Sequence, residues 1–133
     1  MTYVIEPVNA STAGHWESLR NRLWEGEAHR PEIQRYFRGE LAEPNEVLLA
    51  FDQLGRAVGH VELSIRTDVD GLEGIKTGYI EGLFVEDSER GSLLVAQLLR
   101  ASEAWASAQG CVAFASDRDD RIVIHKRFVP TKA

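Results

Sequence analysis

The chain has a single cysteine, Cys111, so no internal disulfide framework is available to it. Cys111 follows Gly110 at the entry to an apolar strand, where a small buried thiol in a reducing compartment is favoured over a catalytic nucleophile. No window approaches the roughly 20 apolar residues that a membrane-spanning helix needs. The opening residues Met1 to Val8 lack both the basic start and the long apolar run of a signal peptide, so a cytoplasmic location is expected. An excess of positive charge is also missing. Fifteen Lys and Arg face 21 Asp and Glu, a net charge of -6, which disfavours nucleic acid and anionic membrane as partners and favours cationic ones. His15, His29, His60 and His125 show no metal-ligand spacing and read as scattered surface histidines, with no metal expected. No internal repeat, low-complexity tract or linker is visible.

What is present supports a packed core. Hydrophobic residues make up 44%, including three Trp and five Phe, and 133 residues suit one domain over 1–133. Tyr3 to Val8 alternates as a strand, and Asn9 to Thr12 supplies N-cap types before a helix at about 12–25. Trp16, Leu19, Leu23 and Trp24 line one face of it, Trp24 being core or pocket wall. Pro31 fits the first turn of a second helix, about 31–42. Val47 to Phe51 and Ala57 to Arg66 read as two strands of a hairpin, with Glu62, Ser64 and Arg66 on one face of the second. Residues 67–78 form a polar, glycine-containing loop rich in acids, either solvated or a flap over a basic ligand.

The chain is organised around the stretch from Thr77 to Leu99, where strand alternation through Tyr79, Leu83 and Val85 yields to helical spacing of Leu94, Leu98, Ala101 and Trp105. A strand delivering the chain into a helix N-terminus is a place where amides hold an anion. The helix at about 90–109 ends at Gly110, and strands follow at 112–115 and 121–129. The order β-α-α-β-β-β-α-β-β predicts an α+β domain with a mixed sheet and one parallel crossover through that helix.

Leu23-Trp24, Glu62 to Arg66, Gly78 to Val85, Glu103 to Ala106, Gly110-Cys111 and Phe114 to Asp117, in this order, resemble the aminoglycoside 6'-N-acetyltransferases of the GNAT superfamily. The resemblance implies a GNAT-like central mixed sheet with flanking helices. It also implies acetyl transfer from acetyl-CoA to the 6'-amine of an aminoglycoside, the basis of antibiotic resistance. The coenzyme arm would lie against Leu83, Phe84 and Val85, with its diphosphate near Arg90 and Gly91. Glu81 would be the acid nearest the reacting amine. Trp24, Glu62, Tyr79, Glu81 and Asp117 would wall the antibiotic. On the residues alone, Glu62 and Asp117 are also readable as solvated strand-end acids and Glu81 as a turn-capping acid, though the site reading is favoured.

Two departures from the family pattern touch the cofactor side. Leu93 and Val95 stand where the family has a glycine and a small residue around the diphosphate, and branched side chains there are expected to fill its space. After Asp117 the family continues through a further loop, a helix and a strand, whereas here Arg118-Asp119-Asp120 leads straight to Arg121. The family's last helix is therefore expected to be absent. Since the acidic residues persist, the sequence favours an aminoglycoside-binding protein impaired in acetyl-CoA binding, with the active acetyltransferase as the alternative and acetyl-CoA required only in that case. The apolar surface and sheet edge left uncovered predict a homodimer.

Overall fold

The computed structural model describes residues 3–128. Nine regular elements follow the expected order. Strand β1 (Val4–Pro7) leads to helices α1 (Ala13–Leu23) and α2 (Arg30–Phe37), then strands β2 (Glu46–Phe51), β3 (Ala57–Arg66) and β4 (Thr77–Val85). Helix α3 (Leu94–Ala108) and strands β5 (Ala113–Arg118) and β6 (Arg121–Arg127) complete it. The six strands lie in one sheet in sequence order, antiparallel except for β4 with β5, which α3 joins as a parallel crossover.

Local chemistry sets the boundaries. The Asn9 carboxamide accepts from the amides of Ser11 and Thr12 while the Thr12 hydroxyl accepts from the Asn9 amide, a capping box that opens a short 3-10 turn running into α1. Helix α2 stops at Phe37, five residues before the sequence expectation of 42. Gly39 adopts φ +72° and Glu40 N–H closes back on Arg35 C=O, so the terminal carbonyls are satisfied early. Helix α3 begins at Leu94 rather than 90, because residues 87–89 form a separate 3-10 turn and the Ser92 hydroxyl accepts the Leu94 amide. No helix separates β5 from β6 among the described residues. The two strands form a hairpin that turns through Asp119 and Asp120.

The sheet is covered on both sides. One face buries Val61, Leu63, Ile80 and Phe114 against Leu94, Leu98 and Ala106 of α3, with Cys111 in the same layer. Cys111 is buried and unpaired, as the sequence implied. The other face holds Trp16, Leu19 and Ile33 of α1 and α2 over Val47 and Leu49. Further along this second face, Val69 and Leu72 are 4% and 1% exposed and pack on Tyr79, Ala113 and Ala115. The 67–78 loop is therefore not simply solvated: it carries its own apolar plug. Between this plug and α1 the face stays open.

Candidate active site between the splayed central strands

Strands β4 and β5 pair only from Thr77 with Ala113 to Ile80 with Ser116. Beyond that point β4 continues with β3 and β5 continues with β6, so the two central strands separate. A bulge assists the parting. Glu62 pairs with Gly82 and Leu63 with Ile80, leaving Glu81 as the extra residue on β4. A second bulge lies opposite, where Ala115 pairs with Ile124 and Phe114 with Lys126, leaving His125 extra on β6. Bulges re-aim a side chain out of the ladder, and both here flank one cavity.

That cavity has a volume of about 560 Å³. Trp24, Glu81 and Asp117 line its open sheet face, Val95 and Leu99 of α3 line the other side, and Gly82 and Leu83 lie between. It thus joins an acidic, aromatic region to the amino-terminal turn of a helix. Trp24 caps α1, its amide donating to Arg20 C=O. The His29 ring N–H donates to the Trp24 carbonyl at 2.8 Å. The indole lies directly on the backbone of β4: a Cβ at Gly82 would sit 2.7 Å from Trp24 Cη2. Glycine is therefore what allows the platform to approach the strand.

Glu81 and Asp117 are both engaged by neighbours. Arg66 donates Nε–H and Nη2–H to the two Glu81 oxygens at 2.6 and 2.7 Å, a bidentate pair. The Arg66 guanidinium also lies over the Tyr79 ring, 4.7 Å from its centroid. The Tyr79 hydroxyl donates to Asp117 Oδ1 at 2.9 Å. Burial and this bond to a carboxylate push the Tyr79 phenol up to about 12. On the α3 side, Ser116 Oγ and His125 Nε2 share a hydrogen bond of 2.7 Å, and burial holds the imidazole below its ordinary value.

Of the acids expected to wall the site, Glu62 lies elsewhere. It is 2% exposed and does not line the cavity. Its Oε2 accepts from Trp16 Nε1 at 3.0 Å and from His60 Nε2 at 3.1 Å, and pairs with Arg20 Nε at 3.4 Å. Burial alone would raise the carboxyl, but the bonds from His60 and Trp16 and the Arg20 charge hold it below the ordinary range. His60 and His29, expected at the surface, are 0% and 2% exposed. Each has a specific acceptor, in Glu62 and in the Trp24 carbonyl, and so tolerates burial. No His, Cys, Asp and Glu group among the described residues has the geometry of a metal site. Arg66 and His125 are the site residues that sequence reasoning missed. Arg66 shares the sheet face of Glu62, a signal available from alternation, but its reach across to Glu81 depends on the bulge.

On the cofactor side, Leu93 and Val95 are 64% and 39% exposed. Leu93 projects outward while Val95 also lines the cavity, and of the amides opening α3, which have no intrahelical carbonyl to meet, that of Leu94 is taken by the Ser92 hydroxyl. Gly91 adopts φ +80° with open space around it, and Arg90 pairs with Asp87. Leu83, Phe84 and Val85 lie on the half of β4 that β5 has left.

The mixed sheet, with its parallel pair splayed beside a helix amino terminus, superposes on solved acetyltransferases. Residues 15–125 match the model of the Acetyltransferase (GNAT) family, and the chain belongs to that family. It is 34% identical over 117 residues to an aminoglycoside N(6')-acetyltransferase type 1 of Klebsiella aerogenes, covering 86% of this chain and 77% of that protein. Another from Acinetobacter genomosp. 13 is 36% identical over 123 residues, covering 89% and 82%. Among solved structures, AAC(6')-Iy in complex with the bisubstrate analogue CoA-S-monomethyl-acetylneamine superposes with a TM-score of 0.78 at 28% identity, covering 90% of this chain and 82% of that one. AAC(6')-Ih from Acinetobacter baumannii gives 0.77 at 28% identity, with 90% and 81% covered. These relatives favour the transfer reading over the sequestering one.

Proposed function

We propose that the protein transfers the acetyl group of acetyl-CoA to the 6'-amine of an aminoglycoside. The observation that carries the reading is the single cavity running from Trp24, Glu81 and Asp117, between the parted strands, to the start of α3. A polyamine sugar on the acidic face and a thioester entering from the helix side meet in that gap. Backbone groups of β4 at Leu83 to Val85, freed from β5, offer hydrogen bonds to an extended amide-bearing arm, as an added strand would. Arg90, Gly91 and the first turn of α3 offer positive charge and amides to a diphosphate.

No nucleophilic side chain is required. A neutral amine attacks the thioester carbonyl, the carbon–sulfur bond breaks, the thiolate leaves and takes up a proton, and the amine's proton passes to a carboxylate or water. Glu81 is the catalytic carboxylate in this reading, with Trp24 and Asp117 orienting the sugar and the Tyr79 hydroxyl holding Asp117; Glu62 supports Trp16 and α1 from behind. Orientation supplies most of the acceleration, with an amide of β4 facing the developing oxyanion. The reaction belongs where acetyl-CoA is made, in the cytoplasm. A second copy covering the exposed edge of β6 makes a dimer, for which a two-chain mass in solution is the expected result.

The deciding experiment is release of free thiol from acetyl-CoA with and without kanamycin, run beside calorimetric titration of each ligand. Kanamycin-dependent thiol release is expected. Tight kanamycin binding with no thiol release and no acetyl-CoA heat returns the assignment to a sequestering protein.

A further inference from the structure

We propose that Arg66 is a displaceable internal occupant of the ammonium subsite, so that an ammonium ligand must exchange with it before binding; the inference rests on the acceptor reading above. A carboxylate beside an aromatic face is what an ammonium group seeks. Both places are already taken by the Arg66 guanidinium, bidentate on Glu81 and stacked on Tyr79. Tyr79 is consequently only 7% exposed and does not line the cavity, although Glu81 and Asp117 do.

Arg66 is placed where it can be displaced. It is the last residue of β3, its side chain is 33% exposed, and the next two residues, Thr67 and Asp68, are exposed. Displacement costs a charge-assisted pair, which a single amine on Glu81 merely replaces. A polyamine that places one group on Glu81 and others near Asp117 meets the same cost, so the exchange lowers the affinity of each ammonium ligand by one common factor. Arg66 is thus an internal competitor for the ammonium subsite, and its departure uncovers both Glu81 and Tyr79.

The test is calorimetric titration at low ionic strength of wild type, Arg66→Gln and Arg66→Lys with kanamycin and with glucosamine, folding being checked by thermal melting. For Arg66→Gln, kanamycin affinity is expected to rise about two- to fivefold, the scale of a partly exposed ion pair. Glucosamine should gain by a similar factor, and Glu81→Gln in the same background should abolish both gains. Arg66→Lys keeps the charge but lacks the planar fork, and covers the case in which the glutamine variant does not fold; a smaller gain in the same direction is expected. Equal or weaker kanamycin binding in both variants overturns the proposal and leaves the acceptor reading standing. Absence of kanamycin heat from all three proteins overturns both.

Discussion

At the scale of single residues, the contacts around Trp24 and Glu62 carry the sharpest consequences. A methyl group at Gly82 meets the indole at 2.7 and 2.9 Å and Leu23 Cδ2 at 3.0 Å. Gly82→Ala must therefore push Trp24 off β4, at a cost of about 1–3 kcal/mol for overpacking. The expected outcome is a shift in tryptophan emission, a lower unfolding midpoint and an aminoglycoside KM raised more than tenfold; an unchanged KM would remove Trp24 from the substrate wall. Glu62 is different in kind, because it is buried with Arg20 and cannot leave that charge alone. Glu62→Gln is expected to destabilise by about 2–4 kcal/mol, moderated by the remaining pair of Arg20 with Glu32, as a urea midpoint will show. Its folded carboxyl is held below its unfolded value of about 4.3. The stability it contributes is thus present above that value and lost as pH falls through the folded one. Wild type should lose stability more steeply than Glu62→Gln below about pH 4.

At the scale of elements, α3 packs closely on the stretch of β4 that is still paired with β5. Gly78 faces Ala106 so closely that an added Cβ would lie 2.6 Å from the Ala106 Cβ. Both partners are buried, so neither can yield without moving the helix or the strand. Gly78→Ala is expected to cost about 1–3 kcal/mol, and Gly78→Ala with Ala106→Gly should recover part of it. Additive losses in that pair of variants would show that the two positions do not meet. The same logic explains the β5–β6 hairpin. With no intervening helix among the described residues, β6 returns at once, and its bulge turns His125 toward Ser116 at the cavity mouth.

At the scale of the whole molecule, the net charge of -6 draws a polycation, and the partly exposed Glu81 and exposed Asp117 give that field a focus. Kanamycin affinity should fall several-fold as the screening length shortens from about 30 Å at 0.01 M salt to about 8 Å at 0.15 M. A flat response in a salt titration would mean that the carboxylates do not bind the amines. No helix among the described residues is long and apolar enough to cross a membrane. Much of this was legible in the sequence. The alternation of β3 and β4, the helical spacing of α3, the capping chemistry at Asn9 and the Gly-Cys entry to β5 are local patterns, and local patterns record which face of an element is apolar. They fixed the order of elements and the resemblance to an acetyltransferase family. They could not place Glu62, since alternation puts it on the same face as Arg66 without saying that α1 covers one and leaves the other open. They could not show that Leu93 points outward while Val95 lines the cavity, nor that Arg66 occupies Glu81. Those outcomes depend on two one-residue bulges and on which helix lies over which strand, contacts between residues distant in the chain whose cost and reward exist only once the sheet has formed.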